Sequence, residues 1–100
     1  MDKKIIEKLI EKTDKAMEYA VIFKNKDSSY IELYKSVVQD IENDLIDLQE
    51  KYTEYTDSLQ DILDDILVGD SNILDNNMYL AGLGYLGQGK EKLEYLYKKL

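Results

Sequence analysis

The sequence contains no histidine, cysteine, proline, tryptophan or arginine. Without histidine and cysteine the chain cannot build a zinc finger, a disulfide framework, a thiol nucleophile or a catalytic triad with a histidine base. All 13 cations are lysines, so none can hold a phosphate with the two parallel hydrogen bonds of a guanidinium. We therefore expect no catalytic residue, no cofactor and no metal site.

Acidic residues dominate the charge that is present. The 100 residues include 21 acidic and 13 basic side chains, giving a formal net charge of −8. Such a chain is a poor ligand for nucleic acid or an anionic membrane surface, and we expect direct binding to neither. No run approaches the ~20 apolar residues of a membrane span, and charges interrupt the N-terminal region where a signal peptide would be apolar. These features predict a cytoplasmic protein.

The spacing of apolar residues predicts an all-α fold. Strand-like alternation is not sustained anywhere, and the absence of proline allows long helices. A hydrophobic share of 44% is enough for the core of a single domain over residues 1–100. We predict a helical hairpin or bundle of three helices around a long central one. The predicted helices cover residues 2–24, 29–68 and 72–100, the last with a glycine-rich bend at 82–89.

The central segment carries a continuous heptad pattern. Ser29 and Glu32 form a capping box at its start, and Gly69 supplies a stop signal at its end. A helix of about 40 residues would be about 60 Å long, too long for the shorter flanking helices to cover alone. We therefore predict that the apolar seam takes a second copy or another protein, giving a homodimer or a heteromer. The seam residues are Tyr34, Val38, Ile41, Leu45, Leu48, Tyr52, Tyr55, Leu59 and Ile62.

An alternative breaks the central helix near residues 52–56. Threonine and tyrosine have weak helix propensity there. Ser58 and Asp61 have the spacing to cap a fresh helix, which would give a compact four-helix bundle. We favour the unbroken helix and keep the bundle as the alternative.

The glycine-rich stretch matches a nucleotide-binding motif only as text. Gly82, Gly84 and Gly87 have the spacing of the dinucleotide fingerprint, but that motif requires a preceding strand, and the pattern here is helical. Two structural interpretations remain, a turn between short helices or a helix face that allows a neighbour to approach closely. We favour the bend, and we also consider an exposed binding surface around Tyr79 and Tyr85.

An acidic ridge on the central segment is the strongest functional signal. Residues 27–70 contain 13 acids and two lysines. Like charges three or four residues apart on a helix repel by ~0.2–0.5 kcal/mol per pair, so a helix optimised only for stability would intersperse lysine. We interpret the ridge as a docking surface for a protein with a basic surface; the plainer alternative is a solvated face. The ridge residues are Asp40, Asp47, Glu50, Glu54, Asp57, Asp61 and Asp64.

Together these features predict a non-enzymatic protein–protein interaction module. Our first hypothesis is a small bacterial or phage accessory or inhibitory protein that docks on a larger partner. A second is an acidic mimic of nucleic acid that inhibits a nucleic-acid-binding host-defence protein, because the ridge charges would recur about every 5 Å along a helix. A third is a structural coiled-coil component of a phage or secretion assembly.

Overall fold

A computed structural model describes residues 1–100 as four α-helices joined by short turns. Single 3₁₀ turns precede the second and third helices, at Ser28–Tyr30 and Thr53–Tyr55. The prediction of an all-α fold is confirmed, since no strand is present. The helices are α1 (Lys3–Asn25), α2 (Ile31–Lys51), α3 (Thr56–Leu74) and α4 (Tyr79–Lys99).

The four helices form an up-and-down bundle. Each helix packs against two neighbours in the ring order α1, α2, α3, α4, and no comparable packing joins the diagonal pairs. Connections this short make consecutive helices antiparallel. All four helices contribute to one core of 17 buried hydrophobic residues. The bundle measures 40 × 22 × 21 Å.

The prediction of one central helix over residues 29–68 is wrong, and the four-helix alternative is confirmed. α2 ends at Lys51, and the next residue, Tyr52, has a φ of −122° and a ψ of 76°, outside the helical region. The Tyr52 amide still donates to the Leu48 carbonyl at 2.8 Å, and the chain then turns back through Thr53–Tyr55. Because α3 begins at Thr56, Ser58 lies inside the helix rather than at its cap. Folding back allows both halves of the seam to bury their apolar side chains in one core.

The structure places the seam inside the monomer. Seven of its nine residues are buried and the other two are half-buried, so none is freely available to a second copy. The prediction of a self-association surface is therefore wrong: the seam is the face that α2 and α3 bury in the core. The buried members are Tyr34, Val38, Ile41, Leu45, Leu48, Leu59 and Ile62; Tyr52 and Tyr55 are half-buried.

Two predictions about glycine are also wrong. α3 continues through Gly69 to Leu74, and α4 is continuous across the stretch that we expected to bend. The reason is the close approach of these two helices. A Cβ added to Gly82 would overlap the Ile73 side chain and lie 2.7 Å from the Gly69 carbonyl oxygen, and one added to Gly89 would lie 3.0 Å from the Ile66 side chain. The close-approach interpretation is therefore confirmed at these positions.

The turns differ in detail from the predicted ones. Asp27, rather than Ser29, provides the cap before α2, because its carboxylate accepts from the Ser29 amide at 3.0 Å and from the Ser29 hydroxyl at 2.6 Å. The last helix begins at Tyr79 and not near residue 72, which belongs to α3. Asn77 forms the intervening turn with a φ of 53°, a left-handed conformation that asparagine tolerates.

Candidate interaction surface

Charge is divided between the two halves of the bundle. The neighbouring helices α2 and α3 carry eleven acidic residues and two lysines, whereas the neighbours α1 and α4 carry six acidic residues and ten lysines. Because the ring order places α2 beside α3, the acidic residues share one long side of the molecule. The opposite side carries a small excess of positive charge.

Ion pairs neutralise the edges of the acidic half. Lys12 Nζ lies 2.8 Å from Asp44 Oδ2 and joins α1 to α2. Lys92 Nζ lies 2.7 Å from Asp65 Oδ2 and 3.0 Å from Asp61 Oδ2, joining α4 to α3. Asp65 is only 8% exposed, and its Oδ2 forms this ion pair but no well-aligned hydrogen bond. The close carboxylates of Asp65 and Asp61 raise the pKa of Lys92, which favours its charged form.

All seven residues of the predicted ridge are exposed, but they do not form a single line. Asp61 is paired with Lys92, and Asp47 borders an open hollow of about 190 Å³ that Lys8 and Lys12 also line. The break at Tyr52 separates the members on α2 from those on α3. Six ridge residues make no ion pair within the chain, and we call them the acidic face. The acidic face comprises Asp40, Asp47, Glu50, Glu54, Asp57 and Asp64.

Exposed aliphatic side chains accompany the acidic face. Ile46 on α2 is 46% exposed and Leu67 on α3 is 43% exposed. Glu42 on α2 and Asp70 on α3 lie close enough to interact across the contact between these helices. Ile46 lies one helical turn after Glu42 and Leu67 lies three residues before Asp70, so both border that contact. The acidic half therefore presents apolar groups among its carboxylates.

Two half-buried carboxylates lie between α2 and α3. The buried Tyr34 hydroxyl donates to Asp70 Oδ1 at 2.9 Å. Burial raises the pKa of Asp70, Asp75 raises it further, and the Tyr34 hydrogen bond and Lys35 offset part of the rise. Burial and the charge of Asp70 likewise raise the pKa of Glu42, and burial beside Asp70 raises that of Tyr34. The chain thus holds two mutually repelling acids inside its acidic half.

These inward acids were missed from the sequence, although their positions carry a signal. Glu42 and Asp70 both occupy position e of the heptad, and Asp44 and Asp65 occupy position g. In the bundle the e residues lie between α2 and α3, and the g residues meet lysines of α1 and α4. The e and g positions flank the core in any helical bundle, so the same pattern could have located them.

This arrangement predicts that moderate acidification stabilises the fold. Raised pKa values mean that the folded chain binds protons more readily than the unfolded chain, so the stability gain is present at low pH and lost as pH rises through the folded values. We expect the midpoint of thermal unfolding to rise by a few degrees between about pH 7.5 and a pH close to the ordinary carboxylate values. Asp70→Asn should melt at or above the wild-type temperature at pH 7.5, because an asparagine oxygen still accepts from Tyr34.

The matched control is Asp57→Asn, which removes one exposed, unpaired charge. Thermal circular dichroism at both pH values should show a weaker pH dependence for Asp70→Asn than for Asp57→Asn. Equal pH dependence in the two variants would show that general charge repulsion, and not the buried carboxylates, is responsible.

The remaining concave features are shallow. A second open hollow, of about 200 Å³, lies between the start of α3 and the end of α4 and contains the Lys92–Asp61 ion pair. No three carboxylates converge in a metal-binding arrangement. None of the helices combines the length and the apolar character needed to cross a membrane. The second hollow is lined by Ser58, Asp61, Ile62, Lys92, Tyr95, Leu96 and Lys99.

Comparison with known proteins adds no functional information. No protein-family model, curated protein or solved structure matches the chain. The role of the acidic face is therefore inferred from its charge, its exposure and the residues around it.

Proposed function

We propose that the chain is a non-enzymatic protein–protein interaction module whose acidic face docks on a basic surface of a larger protein. The observation that carries this proposal is the placement of eleven acids and two lysines on two neighbouring helices. Like charges at these spacings destabilise the free bundle. A partner that presents lysine or arginine relieves that repulsion when it binds.

Charge and apolar contact have separate roles in this docking. The field of the acidic half attracts a basic partner over distance and raises the association rate, an effect that salt screens. Once the partner has docked, Ile46 and Leu67 provide apolar contact area, and salt does not screen the affinity that this contact contributes. Binding should therefore weaken with salt without being lost.

The break at Tyr52 favours this function over the alternatives. The resemblance of the ridge to a nucleic-acid strand required one straight row of charges, whereas these residues lie on two antiparallel helices and the turn between them. A role as an extended coiled-coil component required the long helix, which is absent. The same proposal includes an accessory or inhibitory role for a cytoplasmic protein of a bacterium or phage. Inhibition would follow because docking covers the partner's basic surface.

A pair of charge-matched variants tests the proposal. The face variant carries Asp40→Asn, Asp47→Asn, Glu50→Gln and Asp64→Asn. The control carries Glu11→Gln, Glu18→Gln, Glu91→Gln and Glu94→Gln on the other half, so both variants have the same net charge. We expect the partner captured by the wild-type chain from the cells that produce it to bind the face variant at least ~10-fold more weakly, a loss of ~1.4 kcal/mol. The control should bind within about twofold of wild type.

The readout is the affinity of the purified partner at several salt concentrations. Wild type and control should lose affinity with salt along similar slopes, and the face variant should show a shallower slope. Equal weakening in both variants would mean that net charge alone attracts the partner, and unchanged binding of the face variant would contradict the proposal.

A further inference from the structure

The first half of α4 presents an uncharged surface to solvent. Residues 76–89 contain no charged side chain and form the longest such run in the sequence. Leu80 is 78% exposed, the highest value among the large hydrophobic residues. Gly84 follows one helical turn later on the same face, and a Cβ added there would meet no atom within 4 Å. An exposed leucine therefore stands directly beside an open notch.

Packing within the monomer does not account for the two outward glycines. Gly82 and Gly89 allow α3 to approach, but a Cβ on Gly84 would meet nothing, and one on Gly87 would meet only the Met17 side chain, at 3.8 Å. Glycine weakens a helix relative to alanine at such positions. The isolated bundle therefore makes no contact that requires glycine at either position.

The apolar surface extends from α4 onto α1. Met17 lies beside Gly87, and the Asn25 side chain donates to the Tyr79 hydroxyl at 3.3 Å. These two contacts define the antiparallel register of α1 and α4. Midway between these contacts, Val21 lies level with Leu83, and Val21 is 40% exposed. We call this surface the α4 patch. It consists of Val21, Leu80, Leu83, Gly84 and Gly87.

We propose that the α4 patch binds a second copy of this chain through an antiparallel pairing of the two α4 helices. A two-fold rotation about an axis level with residue 82 places Leu80 of each copy over Gly84 of the other, so each exposed leucine fills the space beside a glycine. It also sets one uncharged run against the other, so no charge is buried without a partner.

The net charge of −8 would make two copies repel each other. The distribution of the charge nevertheless favours a second copy at this site. α4 has an excess of two lysines and lies diagonally across the bundle from α2. The patch also continues from α4 onto α1 and not onto the acidic α3, so pairing there keeps the acidic faces apart. A basic protein partner would instead be attracted to the acidic face. The pairing is independent of the proposed function, and it would give a dimer that presents two acidic faces.

The small size of the patch predicts a weak dimer. The uncharged part of α4, residues 79–89, is eleven residues long and spans ~17 Å, and the area between two such stretches falls below the ~1,200 Å² of a stable interface. We therefore expect a weak dimer with a dissociation constant between ~10 µM and ~1 mM, as for transient complexes with small interfaces. Analytical ultracentrifugation should span that range.

The test compares two leucines with different positions. Leu80→Glu should raise the dimer dissociation constant at least tenfold. Leu33→Glu, which adds the same charge at an exposed leucine on α2, should leave it within about threefold. Gly84→Ala should also weaken the dimer while raising the unfolding temperature of the monomer, a combination that general destabilisation cannot produce.

Three outcomes would overturn the proposal. These are a wild-type chain that remains monomeric at 1 mM, equal effects of Leu80→Glu and Leu33→Glu, and a Gly84→Ala variant that dimerises as well as wild type. The acidic-face variant should dimerise at least as well as wild type, so failure of the proposed docking function and failure of this pairing would be seen separately. Circular dichroism of each variant confirms that the monomer is folded.

Discussion

Gly82→Ala is expected to lower the unfolding temperature by about 5–20 °C, although it adds only one methyl group. The new Cβ would overlap the Ile73 side chain and lie 2.7 Å from the Gly69 carbonyl oxygen, which is backbone and cannot move without shifting α3. Overpacking of this kind costs ~1–3 kcal/mol. In a domain of this size each kcal/mol shifts the midpoint by ~4–8 °C.

The matched control lies two residues further along the same helix. Gly84→Ala adds the same methyl group where no atom lies within 4 Å, so only the gain in helix propensity remains. We expect it to stabilise the chain by ~0.5–1 kcal/mol. Thermal unfolding followed by circular dichroism at low protein concentration measures both variants as monomers. Similar shifts in the same direction would contradict the close approach of α3 and α4.

Leu45→Asp is expected to unfold the chain. Leu45 is 0% exposed in the core, where truncation of a leucine to alanine alone costs ~2–5 kcal/mol. Burying an unpaired carboxylate adds to that cost. The total is comparable with the ~5–15 kcal/mol that stabilises a typical domain. Ile46→Asp, one residue later at a half-exposed position, should change stability by no more than ~0.5 kcal/mol.

This pair separates two roles for the seam. If the seam were an external dimer interface, Leu45→Asp would separate the subunits and leave the helices formed. If the seam is the core of one chain, the same substitution removes helical circular dichroism. Far-ultraviolet spectra and sedimentation of both variants distinguish these results. A folded, fully helical Leu45→Asp monomer would contradict the bundle.

Local sequence signals predicted the first helix and the inward face of the next two. We predicted a helix over residues 2–24, and the observed one spans Lys3–Asn25, because Asp2 caps it and its apolar residues recur regularly. The heptad pattern identified the buried face of α2 and α3 correctly. The pattern could not show what covers that face. The break spans about one helical turn, so the heptad spacing continues across it whether the chain reverses direction or extends as one helix.

The glycines and the acids show where local reasoning reaches its limit. Gly69 and Gly82 resemble break points in isolation, and only the approach of α3 to α4 reveals them as contact residues. The excess of acid was visible in the sequence, but its concentration on one half of the molecule depends on which helices are neighbours. That information belongs to tertiary packing.

The central claim is that α2 and α3 fold back on each other and so place the acidic helices side by side. Because the chain has no cysteine, Ser36→Cys and Ser71→Cys provide two unique sites for spin labels. Tyr34 bonds to Asp70, so these sites lie near the same level of the bundle. Pulsed electron paramagnetic resonance on labelled chain diluted with unlabelled chain should give a distance below ~30 Å, since neighbouring helix axes lie ~8–10 Å apart. A distance near ~52 Å, the length of 35 residues of continuous helix, would contradict the account.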